Sequence, residues 1–153
     1  DRLRSRGLGD VYKRQSQEDA GYLYDFGMNL GVAFQLKDDL LDVYGDVKVF
    51  GKNIGGDILC NKKTYMLIKA LENADKNQLE ELNYWLNASD AEPQKKIAAV
   101  TELYNQIGIK ALCENKMVEY TNKAMENLAA VKLPVEKKKE LEILMKNLLH
   151  REV

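Results

Sequence analysis

Ser16 to Gly45 reads SQEDAGYLYDFGMNLGVAFQLKDDLLDVYG. Within it Tyr22, Leu23, Phe26, Leu30, Ala33, Phe34, Leu40, Leu41 and Tyr44 recur at three- and four-residue spacing, which marks one apolar face of an α-helix. The spacing predicts a single helix of about 25 residues. Ser16 supplies a capping oxygen and Asp19 a carboxylate at the first turn, where free N–H groups and the helix dipole favour both. Gly45 ends the run.

Working outward, Gly45 to Asn61 holds Gly51, Gly55 and Gly56 and is too rich in glycine for a core helix. Helical spacing resumes over Thr64 to Ala74 through Leu67, Ile68 and Leu71, and over Lys76 to Ala88 through Leu79, Leu82, Trp85 and Leu86. Pro93 suits a first helical turn. The apolar spacing that follows it reaches Val131 with a break near Gly108, and Pro134 opens a last helix through Leu141, Leu144, Leu148 and Leu149. No stretch alternates as a strand does, and no repeat is visible, so the expectation is an all-α unit with short connections.

The 153 residues carry a net charge of −1, with 45% hydrophobic and 31% charged residues, which suits one soluble domain with a sizeable core. No run approaches the roughly 20 apolar residues of a membrane span, and the charge balance gives no reason to expect nucleic acid. Cys60 and Cys113 form no CxxC pair, which predicts two packed thiols in a reducing, cytoplasmic setting. His150 is the sole histidine, which argues against a histidine metal site and against Ser/His or Cys/His catalysis.

Composition shifts sharply at the start. Arg2, Arg4, Arg6 and Arg14 are four of the five arginines, and none of the twelve asparagines falls in the first fifteen residues. Ser5 to Gln15, SRGLGDVYKRQ, resembles a translated sequencing adapter. Residues 1–15 are therefore expected to be a non-native scar that packs poorly on the body, with 16–153 as the native part. That segment carries five basic and two acidic residues, so the remainder has a net charge of −4.

The chemistry gathers at the end of the first predicted helix. Gln35, Asp38, Asp39 and Asp42 lie three or four residues apart and form one polar stripe. Three carboxylates within about a turn repel one another, more strongly in a desolvated cleft, and a divalent cation relieves this. An all-oxygen donor set points to Mg²⁺, with substrate phosphates and water completing the shell. Lys52 and Lys62 in the following loop suit an anionic ligand. The loop is not a Walker A, since Asn53 follows Gly51-Lys52, and the aspartate spacing is not that of an EF-hand. A solvated acidic helix face accounts for the same cluster, and the residues alone leave the two readings open.

Phe34-Gln35, Asp38-Asp39-Leu40-Leu41-Asp42, Gly45-Asp46, Gly51-Lys52, Gly56-Asp57 and Lys62-Lys63-Thr64 together resemble, in order and without gaps, the second aspartate-rich region of trans-polyprenyl diphosphate synthases. The resemblance implies the C-terminal part of an isoprenoid-synthase helical bundle. It implies a prenyltransferase that condenses an allylic prenyl diphosphate with isopentenyl diphosphate through Mg²⁺-assisted ionisation, and a homodimer when full length. Carried over by position, Asp38 is the direct metal ligand, and Asp39 and Asp42 belong to the metal site. Phe34 and Gln35 lie beside the prenyl chain, and Lys52 and Lys62 contact the allylic diphosphate. Asn61 departs from the glycine expected before that lysine. The family's first aspartate-rich motif is not found in residues 1–29, so the chain is expected to be an inactive fragment that holds one wall of the site. A terpene cyclase or diphosphate lyase, and a non-catalytic helical subunit of a heterodimeric prenyl synthase, are the competing readings. Tyr22, Tyr24, Phe26 and Met28 read more readily as plain core than as prenyl-pocket or dimer residues.

Overall fold

The computed structural model describes residues 17–45, 54–88 and 91–149. Residues 1–15, His150 and Lys52 lie outside them. Among the described residues there are seven helices and no strand: α1 Gln17–Tyr44, α2 Gly56–Leu59, α3 Tyr65–Asn73, α4 Lys76–Asn87, α5 Pro93–Ile107, α6 Ile109–Ala130 and α7 Val135–Leu149. The expected all-helical architecture is the one observed.

α1 is 28 residues long and packs lengthwise on α6, the most extensive pairing of elements among the described residues. Two apolar clusters form along it. The first joins Leu36, Leu40 and Val43 of α1 to Met66, Leu82 and Leu103, and the second joins Phe26 and Leu30 to Ala124, Leu128 and Met145. A fully buried leucine or methionine contributes about 1.5–3 kcal/mol, so the first cluster sets the position of the acidic end of α1. Leu36 and Val43 belong to that buried face although the periodicity above omitted them. Of the four residues read as core near the start of α1, only Phe26 is buried; Tyr24 is 67% and Met28 54% exposed, and Tyr22 is half-buried. They share a helix with the core stripe but sit on its far side.

Local chemistry explains where the helices begin and end. Thr64 caps α3 by accepting the Leu67 N–H, and Asp75 with Gln78 forms a reciprocal capping box on α4. Gly108 divides α5 from α6 with φ 81°, a left-handed conformation open to glycine, so the long apolar run is two helices. The glycine-rich return holds one short helix, α2, which buries Ile58. At its start Gly55 has φ 86°, and a Cβ there would stand 2.7 Å from the Ile97 side chain. Asp19 is buried, and its carboxylate accepts the Lys132 N–H at 2.9 Å, so it holds the end of α6 as well as sitting in the first turn of its own helix. Both cysteines are free; Cys113 is buried as expected, whereas Cys60 is exposed because it closes α2 on the surface side.

Candidate active site

The acidic run of α1 divides among three surroundings. Asp39 is buried, and its Oδ1 accepts hydrogen bonds from Gln35 Nε2 at 2.9 Å, one turn back, and from Lys62 Nζ at 3.1 Å. Asp42 is half-buried, and its Oδ2 accepts the Asp57 N–H at 2.8 Å while its backbone carbonyl accepts the Gly55 N–H at 2.6 Å. Asp38 is half-buried and has no hydrogen-bond or ion-pair partner among the described residues. Phe34, one turn before it, is also half-buried.

Lys62 is the centre of the arrangement. Its ammonium lies 2.7 Å from Asp57 Oδ2 and 3.1 Å from Asp39 Oδ1. The Asp39 side chain is 6% exposed and that of Lys62 45%, so this pair sits at a wall and not in bulk water. Hydrogen bonds to Asp57 and then Asp39 hold the Lys62 ammonium well above the usual lysine range, so it stays charged at any physiological pH. Burial pushes the Asp42 carboxyl above its ordinary value, and the Asp57 N–H opposes that only in part. A carboxylate that pays for burial in this way favours a nearby cation.

A cleft of about 540 Å³ opens beside these groups. Gln35, Asp39, Lys62, Lys63 and Lys116 supply its polar lining, and Val32, Leu36, Tyr65 and Tyr120 its apolar one. Lys116 approaches the Tyr120 ring at 5.4 Å and pairs with Glu119 at 2.7 Å. Lysine ammoniums beside apolar and aromatic side chains fit a ligand with an anionic head and a hydrocarbon body.

The structure thus brings together Gln35, Asp39 and Lys62 of the residues read from sequence. It adds Asp57, whose carboxylate completes the bracket on Lys62, and Lys63, Lys116 and Tyr120 on the cleft. Asp57 stands within the motif already quoted, in Gly56-Asp57, whereas Lys116 and Tyr120 share only an i, i+4 spacing on α6. Among the described residues no three His, Cys, Asp or Glu side chains are grouped closely enough to hold a metal ion alone. Magnesium needs only one or two carboxylates with phosphate and water oxygens, and a partnerless Asp38 one turn from a desolvated Asp42 fits that requirement.

The family described as Polyprenyl synthetase matches residues 5–105, a span that begins within the segment composition sets apart. A short chain isoprenyl diphosphate synthase of Methanothermobacter thermautotrophicus is 32% identical over 120 residues, covering 78% of this chain and 36% of that protein. A crystal structure of a geranylgeranyl pyrophosphate synthase superposes with a TM-score of 0.78 at 35% identity, over 90% of this chain and 43% of that one. Another, from Corynebacterium glutamicum and complexed with isoprenyl diphosphate and magnesium, gives 0.79 at 28% identity, over 90% and 39%. The chain therefore spans less than half the length of the relatives it matches. Since the family match covers well over half of its residues, the chain belongs to the polyprenyl synthetase family.

Proposed function

We propose that this chain forms the diphosphate-holding wall of a trans-prenyltransferase, which joins an allylic prenyl diphosphate to isopentenyl diphosphate. The observation that carries the reading is Lys62, held between Asp39 and Asp57 on a cleft that apolar side chains also line. Asp38 and Asp42, with Asp39 sharing its carboxylate with Lys62, would hold magnesium. Bound there, the metal supplies charge neutralisation for the departing diphosphate.

The chain's own residues do the rest. Lys62 binds a diphosphate oxygen as a fixed point charge, and Lys52 contributes a second cation from the glycine-rich return. Gln35 holds the Asp39 carboxylate in register with the cleft. Phe34 and the apolar side chains of the cleft exclude water from the prenyl end, so the allylic cation left by ionisation meets the double bond of isopentenyl diphosphate and not solvent. The complex of the Corynebacterium relative with isoprenyl diphosphate and magnesium supports the same ligand classes.

Calorimetric titration of the chain with inorganic diphosphate, with and without magnesium, tests this. Binding should require magnesium and should weaken about tenfold or more in Asp38→Ala and in Lys62→Ala, as expected for the loss of a charged contact. Equal affinity in all three proteins, or no binding by any, would return the aspartate stripe to a solvated helix face.

A further inference from the structure

Lys96, on α5, is 6% exposed, yet among the described residues its ammonium has one hydrogen-bond partner, Asn61 Oδ1 at 2.8 Å. Among the described residues it makes no ion pair. Seating a lysine at so buried a position is costly unless its charge is compensated, so apolar packing alone would favour leucine or methionine here. Asn61 is unusual in turn. It has φ 53°, the one positive φ outside glycine among the described residues, a conformation that asparagine tolerates better than most residues but that still carries strain. Its side-chain Nδ2 donates to the Leu86 carbonyl at 2.8 Å, so the amide is gripped from α4 and α5 together.

Asn61 immediately precedes the lysine that bridges Asp39 and Asp57. Its left-handed turn lets the Lys62 N–H reach the Asp57 carbonyl at 2.9 Å and the Thr64 N–H reach the Lys62 carbonyl at 2.8 Å. The backbone then runs straight into the Thr64 cap of α3. We propose that Lys96 is a positioning residue, whose bond to Asn61 fixes the turn that delivers Lys62 to the cleft. The inference rests on the diphosphate-site reading above. Asparagine in place of the expected glycine is then no defect of the loop: glycine supplies the turn and asparagine supplies the turn with a handle.

The test is a double-mutant cycle on the whole chain, read by its affinity for inorganic diphosphate in magnesium. Lys96→Met keeps the length of the side chain and removes the donor; it should weaken binding about tenfold, the scale of one hydrogen bond to a charged group. Lys62→Ala should weaken it by a similar factor. The double variant should bind no more weakly than Lys62→Ala, because Lys96 acts only through Lys62. A merely structural lysine would give effects that multiply. If Lys96→Met loses helical circular dichroism, Asn61→Gly takes its place in the cycle with the same expectation, since it keeps the backbone turn and removes the handle. Lys96→Met or Asn61→Gly within twofold of the unsubstituted chain, or multiplying effects, would overturn the inference while the diphosphate reading stands. No effect of Lys62→Ala, or no binding by the unsubstituted chain, would overturn both.

Discussion

The Asp42 carboxylate accepts the backbone N–H of Asp57 at 2.8 Å, so the last acid of the α1 stripe also anchors the segment that returns from it. Burial raises the Asp42 carboxyl from its ordinary 3.8. A carboxyl raised on folding contributes its stability fully below the unfolded value and loses it as pH rises through the folded one. In metal-free protein Asp42→Asn keeps an acceptor and removes the charge, so it should melt above the unsubstituted chain at pH 7 and lose that advantage below about pH 4. Asp42→Ala should lose about 1–3 kcal/mol at both, from the orphaned Asp57 N–H. Urea melts at the two pH values check this, and equal behaviour of Asn and Ala would contradict it.

In a polypeptide that supplies the rest of the synthase domain, Asp38 and Lys62 should separate by kinetics. Asp38→Ala should lower kcat by at least about 10²-fold, as when one electrostatic stabiliser of a developing charge is lost. Lys62→Ala should act more on the KM for the allylic substrate, because its contact already exists in the bound ground state. The 153-residue chain alone should give no turnover of geranyl diphosphate with isopentenyl diphosphate.

The two thiols should differ in reactivity. Burial pushes the Cys113 thiol up to about 12, and its Sγ lies against the Leu36 carbonyl, whereas Cys60 is exposed. A disulfide reagent at neutral pH should titrate Cys60 in the native protein and Cys113 only after unfolding, because the thiolate is the nucleophile. Modification of Cys113 in the folded chain would count against the packing of α6 on α1.

Two glycines with nearly equal φ should differ in cost when replaced by alanine. At Gly108 nothing lies within 4 Å of an added Cβ, so Gly108→Ala carries only the left-handed penalty, about 1–2 kcal/mol. At Gly55 the same penalty is joined by a collision with Ile97, and Gly55→Ala should cost more and recover in part with Ile97→Val. Chemical denaturation of the three variants measures the difference.

Helix existence and most helix ends were legible because caps and periodicity are local. Pro93, Gly108 and Pro134 divide the second half of the chain as their chemistry demands. What escaped is non-local. No spacing rule connects Lys62 to Asp39, 23 residues away, or Lys96 to Asn61, 35 away. Those pairs depend on the path of the glycine-rich return, which periodicity does not encode. The surface position of Cys60 escaped for the same reason, since the return offered no periodicity from which to read a buried face. The aspartate stripe was legible as a stripe, but its division among an ion pair, a backbone anchor and a partnerless carboxylate follows from what packs above each residue.

α1 is tied at three levels to different parts of the molecule: Asp19 to Lys132 at its start, Asn29 to Asn127 near its middle, and Asp42 to Asp57 at its end. Each residue of an α-helix turns the chain by about 100°. The stretch between Asn29 and Gln35 therefore works as a phase gauge, since its length sets the angle at which the acids emerge relative to the anchored start. An exposed position there such as Gly31 does not set that angle, whereas one inserted or deleted residue would swing Asp39 away from Lys62 or tear Asn29 from Asn127. Across homologous chains the length of this interval should be fixed.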